Sequence, residues 1–116
     1  MDTDRHQQLT LELQRVLNIL FRDYHPDRII LFGSLVSGDI HPWSDIDLVI
    51  IKATGRRFAD RLVDVALLCD SDVGLDCLVY TPQEFDQMVT AGNPFIREVL
   101  KTGQVLYERQ AIPAVA

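Results

Sequence analysis

The chain has 116 residues, 47% of them hydrophobic and 24% charged, with a formal net charge of −6 at pH 7. That length supplies one core of ordinary composition and leaves no room for a catalytic domain beside a separate substrate domain. The acidic balance argues against direct nucleic-acid binding, because phosphate backbones call for Lys and Arg, and favours a cation-dependent site or a basic partner. No apolar run approaches the roughly 20 residues that cross a bilayer. Met1 to Gln8 is polar and mixed in charge, unlike a secretory leader, so a cytoplasmic location is the expectation. Cys69 and Cys77 lie in apolar stretches without a second Cys or His at metal-ligand spacing and read as buried free thiols. His6, His25 and His41 are scattered, and no zinc site follows from them.

Leu9, Leu13, Val16, Leu17, Leu20 and Phe21 recur at helical spacing, which predicts a helix over about 5–23. Tyr24-His25-Pro26-Asp27 ends it, since the residue before a proline disfavours helix. Arg28 to Phe32 reads as a buried strand, Gly33-Ser34 as a break, and Leu35 to Ile40 as room for one helical turn. After the loop His41-Pro42-Trp43-Ser44 comes a second strand, Asp45 to Ile51. Lys52 to Arg57 is loop, and Phe58 to Leu68 is helical by the spacing of Phe58, Leu62, Val65 and Ala66. Val73 to Tyr80 reads as a third strand.

Thr81-Pro82-Gln83-Glu84 then carries an N-cap, a proline at the first helical position and the glutamate of a capping box. Asn93-Pro94 opens the next helix in the same way, and Lys101-Thr102-Gly103 reads as its end with a C-cap glycine. Gln104 to Tyr107 is a short edge strand, and 111–116 is expected to fray. Strands alternating with helices predict a single α/β or α+β domain over 1–110, built on one sheet.

Two features stand out. Gly33-Ser34 directly follows a strand, where glycine permits a sharp turn and the next N–H groups suit a phosphate, although a strand-ending Gly-Ser is also a common turn. Ser44-Asp45-Ile46-Asp47 opens an apolar strand, and alternation sets Asp45 and Asp47 on one face, with Cα atoms about 6.5–7 Å apart. Adjacent carboxylates repel each other, and a divalent cation with oxygen ligands relieves the conflict, unless the pair caps a loop or faces water. Asp76 interrupts the third strand. If that strand lies beside Asp45–Ile51, three carboxylates share a sheet face, which suits two-metal phosphoryl transfer. The plain alternative is an ion pair of Asp76 with an arginine such as Arg28.

The combination Leu31-Phe32-Gly33-Ser34, then Ser44-Asp45-Ile46-Asp47-Leu48, then Asp76 resembles the signature of the polymerase-β-like nucleotidyltransferases, and most closely their minimal nucleotidyltransferase (MNT) domains. The resemblance covers nearly the whole chain. It implies a mixed sheet with helices packed mainly on one face. It implies Gly33 and Ser34 as triphosphate binders, and Asp45, Asp47 and Asp76 as catalytic metal ligands for two Mg²⁺ ions. Asp76 is preferred to Asp72, which precedes the apolar run. MNT proteins are often antitoxins of HEPN toxins. Ten residues (35–44) between Gly-Ser and Asp-x-Asp resemble those that transfer AMP from ATP to a toxin tyrosine. Two other readings stay open: an antitoxin that acts by contact alone, and a small-molecule nucleotidyltransferase subunit of an oligomer.

Overall fold

The computed structural model describes residues 3–109, so the expected fraying at 111–116 lies outside the described residues. Helix α1 runs Thr3–Ile19, followed by strand β1 (Arg28–Phe32), the single helical turn α2 (Ser34–Ser37) and strand β2 (Ile46–Ile51). Next come α3 (Phe58–Cys69), β3 (Leu75–Tyr80), α4 (Pro82–Thr90), α5 (Pro94–Thr102) and β4 (Gln104–Glu108). The strands form one mixed sheet in the order β3-β2-β1-β4, with β1 antiparallel to both β2 and β4 and β2 parallel to β3.

Period-two alternation sorts the strand side chains. Ile29, Leu31, Ile46, Leu48, Ile50, Cys77 and Val79 pack with Leu9, Val16 and Leu20 of the N-terminal helical segment and with Val65 and Cys69 of α3, forming the larger core. On the opposite face Ile30, Val49 and Ile51 pack with Phe85 of α4 and with Ile96 and Val99 of α5. The two long helices thus share one face. The two nine-residue helices α4 and α5 pack on the other. Both cysteines are free and buried, as the sequence suggested.

Local chemistry explains the boundaries. Thr81 and Glu84 form the predicted capping box, with the Glu84 N–H donating to Thr81 Oγ1 at 3.2 Å and the Thr81 N–H donating to Glu84 Oε1 at 2.8 Å. Asn93 caps α5 by accepting from the Ile96 N–H. The first helical segment ends at Tyr24, close to the expected place, but its last turn differs in form. A π-helical turn, Leu20–Tyr24, follows α1, and His25 closes it in the left-handed region at φ 56° with its N–H on the Leu20 carbonyl. The Lys52 ammonium caps the Tyr24 carbonyl and lies over the Tyr24 ring. Gly103 is not a left-handed C-cap. Its φ is −75°, and a side chain there would strike the Val99 and Leu31 carbonyls and Ile30, so the glycine is needed for close packing of α5 against β1.

Arg61 is buried on α3. It donates to the Arg56 and Val79 carbonyls and to Glu84, tying α3 to β3 and α4. Glu12 of α1 accepts from Arg15 and from the Ser71 hydroxyl, and Arg15 also donates to the Cys69 carbonyl, joining α1 to the end of α3.

The bonds to Arg15 above all, and the one to Ser71, hold the Glu12 carboxyl at about 2, below its ordinary value of 4.5. A carboxyl lowered on folding contributes stability that is full above the unfolded value and is lost as pH falls towards the folded one. Glu12→Gln is therefore expected to be about 1 kcal/mol less stable than the parent at neutral pH. In urea titrations that gap should close between about pH 4.5 and 2. A gap that stayed constant through this window would mean that the ionised carboxylate contributes nothing.

Candidate active site

The sequence-derived residues converge at the head of the sheet. The register sets Phe32 of β1 opposite Asp47 of β2, and Asp47 opposite Asp76 of β3, so these three form a row across three strands on one face. Asp76 can sit beside Asp47 only because β2 and β3 are parallel and in this register. Arg28, the alternative partner for Asp76, lies instead 3.1 Å from Glu108 at the far end of β1.

Asp45 sits one residue ahead of β2 rather than on it. The loop before it is pinned. The His41 N–H donates to Ser44 Oγ at 2.7 Å, the Ser44 N–H donates to the His41 carbonyl, and Arg5 of α1 donates twice to the Ser44 carbonyl, at 2.6 and 3.1 Å. Arg5 was not singled out in the sequence, because a contact between positions 5 and 44 leaves no local pattern.

Two glycines make room for the carboxylates. Gly33 has φ 81° and ψ −152°, a region open mainly to glycine, and any side chain there would collide with the Asp47 carboxylate. A side chain at Gly74 would collide with the Asp45 carboxylate. Gly74 also reads in sequence as an ordinary strand residue, yet its carbonyl accepts from the Ile46 N–H at 2.9 Å and it brings the start of β3 against Asp45.

After Gly33 the chain turns into α2. The Val36 and Ser37 N–H groups return to the Gly33 carbonyl, and those of Ser34 and Leu35 precede the first of these bonds. A cleft of about 720 Å³ opens here, lined by Phe32, Gly33, Ser34, Ser37 and, from α5, Phe95, Glu98 and Thr102. Phe32 and Phe95 meet edge to face at 5.5 Å and form its inner wall.

The electrostatics set these carboxylates apart. Burial first, then the charge and hydrogen bond of Asp76, then the charge of Asp45 push the Asp47 carboxyl up to about 6. None of Asp45, Asp47 and Asp76 has an ion-pair partner among the described residues, whereas Asp23, Asp27, Asp60 and Asp64 all do. Among the described residues no three such side chains are already drawn in around one point to hold a metal. The donor set nonetheless suits a hard divalent cation: oxygen ligands only, no competing arginine, and two glycines that leave the space beside Asp45 and Asp47 clear.

The sequence model described as "Polymerase beta, Nucleotidyltransferase" matches residues 14–112. The chain belongs to this nucleotidyltransferase family. A "Putative protein adenylyltransferase" of Methanocaldococcus jannaschii is 35% identical over 82 residues, which covers 69% of this chain and 77% of the relative. The crystal structure of a "putative nucleotidyltransferase" from Sulfolobus solfataricus shares the fold at TM-score 0.62 and 16% identity, covering 91% of this chain and 86% of that one. A toxin–antitoxin structure with AMP-PNP matches at TM-score 0.52 and 26% identity, covering 84% of this nucleotidyltransferase and 73% of that chain. A mutant of the toxin–antitoxin MntA-HpeT gives 0.51 and 22% over the same shares.

Because its carboxyl is raised on folding, ionised Asp47 costs stability above about pH 6, and that cost disappears as pH falls towards its ordinary 3.8. In EDTA at neutral pH, Asp47→Asn should be more stable than the parent by on the order of 1 kcal/mol after allowing for solvent screening. Its advantage should shrink on acidification through that range. A variant that melts well below the parent in EDTA would instead make Asp47 a structural partner and sink the cation-site reading.

Proposed function

We propose that this nucleotidyltransferase uses Mg²⁺ to move AMP from ATP onto a hydroxyl of a partner protein. We further propose that the partner is a toxin of the HEPN family, for which the chain is the antitoxin. The observation that carries the reading is the row Phe32–Asp47–Asp76 beside the Gly33-Ser34 turn: carboxylates without ion-pair partners among the described residues stand next to a glycine turn that also lines the cleft. The protein adenylyltransferase relative and the toxin–antitoxin complexes among the structural neighbours support the acceptor and the partner.

In this reading the triphosphate lies against the Gly33-Ser34 turn, held by the Ser34 hydroxyl and the N–H groups that start α2. The nucleoside occupies the cleft between α2 and α5, beside Phe95. Asp45, Asp47 and Asp76 hold the metal, two ions by resemblance to the family. The chemistry these supply when bound is neutralisation of the phosphate charge and acidification of the acceptor hydroxyl. Asp76, the most exposed of the three, is placed to take the hydroxyl proton or to hold the ion that acidifies it. Phosphoryl transfer is mostly positioning and charge stabilisation, and a docked protein brings its own hydroxyl into position through the interface. A cytoplasmic setting, rich in MgATP, belongs to the same reading.

Two measurements test it. Ser34→Leu should weaken MgATP binding in calorimetry by about tenfold or more while leaving the melting temperature nearly unchanged. Unchanged affinity would place the triphosphate elsewhere. Co-expression with the product of the adjacent reading frame, followed by intact-mass spectrometry, should find that product carrying added AMP. The modification should be absent with Asp45→Asn/Asp47→Asn. An unmodified partner in a tight complex would favour an antitoxin acting by contact. Efficient labelling of a small metabolite by the chain alone would favour the small-molecule enzyme.

A further inference from the structure

Two grooves share the Phe32–Phe95 pair, and Asp47 and Asp76 line the second of them. The cleft between α2 and α5 is taken by the nucleotide in the reading above. The second groove, of about 530 Å³, passes Asp47 and Asp76 and runs over β3 to Leu62, Val65 and Ala66 of α3. Its floor is a sheet edge, because β3 is the outermost strand and has no further strand partner among the described residues.

The ladder shows which groups of that edge are free. The Gly74 carbonyl accepts from the Ile46 N–H and the Tyr80 carbonyl accepts from the Lys52 N–H, both towards β2. Alternate residues of a strand turn their main-chain groups the same way, so Gly74, Asp76, Leu78 and Tyr80 face β2, and Leu75, Cys77 and Val79 face outward. The Val79 carbonyl does face outward, and there it accepts from Arg61 at 3.1 Å. Arg61 therefore covers the edge at its far end. At the Asp76 end no side chain among the described residues hydrogen-bonds the main chain of Leu75 or Cys77. Edge strands are commonly blunted by Lys, Pro or a bulge, and Leu75–Tyr80 has neither residue and pairs with β2 without a bulge.

Charge says what would lie there. Besides the three carboxylates of the site, Asp70 and Asp72 stand exposed at the entrance to β3, without ion-pair partners among the described residues. The groove pairs an acidic mouth with an apolar wall on α3.

We propose that this groove is the acceptor site. It takes an extended, basic stretch of polypeptide that adds to the free edge of β3, hydrogen-bonds Leu75 and Cys77, and carries its hydroxyl residue opposite Asp76. The proposal rests on the nucleotide-transfer reading. Directly opposed residues on neighbouring strands have Cβ atoms about 4.5–5.5 Å apart, on the same face. A Tyr, Ser or Thr in that register stands beside Asp76 and Asp47, and its two neighbours turn towards α3. Main-chain bonds then supply the affinity and the register selects the hydroxyl. In the transfer, the hydroxyl oxygen bonds to the α-phosphorus. The bond to the bridging oxygen breaks, pyrophosphate leaves with that electron pair, and the hydroxyl proton passes to Asp76 or solvent.

The test uses the full chain and two degenerate peptide pools with a central tyrosine, one flanked by lysines and one by glutamates. Amide hydrogen exchange follows the edge, and ATP labelled at the α-phosphate follows transfer. The Leu75 and Cys77 amides should exchange faster than those of Asp76 and Leu78 in the free chain. They should slow about tenfold with the basic pool and not with the acidic one. Leu75→Pro removes one outward donor and none that bonds β2, so it should cut label transfer about tenfold while MgATP affinity holds. Should that variant fail to fold, Asp70→Lys/Asp72→Lys leaves the strand intact and should weaken protection by the basic pool. Labelled peptide without protection at Leu75 and Cys77 overturns strand addition and leaves nucleotide transfer standing. Protection without label keeps the docking groove and removes the transfer reading. Neither protection nor label from either pool overturns the assignment of the groove.

Discussion

The parallel register of β2 and β3 is the constraint on which the rest of the site depends. It sets two carboxylates side by side on a sheet face, an arrangement that burial and mutual repulsion both oppose, since together they push Asp47 up to about 6. The core on the other face holds the strands in place regardless. Ile46, Leu48, Ile50, Cys77 and Val79 pack beneath α1 and α3, and moving β3 by one residue would turn Cys77 and Val79 out of that core. The apolar core thus maintains an unfavourable charge geometry on the opposite side of the same strands.

The two faces divide the labour. α1 and α3 seal one side completely, with Leu9, Val16, Leu20 and Val65 at most 1% exposed. The smaller core under α4 and α5 stops at Phe32, where the carboxylate row begins. Arg61 closes the far end of β3, and its buried guanidinium is matched by Glu84, which also completes the α4 capping box. One residue thus joins a helix start, a strand edge and an ion pair, and it sets where the open part of the edge begins.

Much of this is legible in the sequence, for a stated reason. Asp47 and Asp76 each interrupt an apolar strand, and a charge in such a run calls for an explanation. Gly33-Ser34 breaks another strand at its end. The capping box at Thr81 and the N-cap at Asn93 are local patterns and appear where expected. What the sequence does not carry is pairing. Whether Asp76 meets Asp47 or Arg28 depends on strand order and direction, and the roles of Arg5 and Gly74 depend on contacts across 39 residues and across two strands. The π-helical turn at Leu20–Tyr24 escapes notice because one extra residue in a turn barely disturbs apolar spacing. Gly103 follows the end of α5, as the cation-glycine pattern suggests, but in extended rather than left-handed backbone, and it also makes a close contact with β1.

That contact reaches further than its place on the chain suggests. Gly103 lies against the carbonyls of Val99 and Leu31 and the side chain of Ile30, so the end of α5 rests on the backbone of β1 with only a hydrogen between them. The same helix carries Phe95, Glu98 and Thr102, which face Gly33 and Ser34 across the cleft. The wall opposite the Gly33-Ser34 turn is therefore anchored at a tightly packed point. A single methyl group at position 103 would press first on the Val99 carbonyl of the last turn of α5 and then on β1, and so reshape the cleft from behind, well away from Gly33 and Ser34.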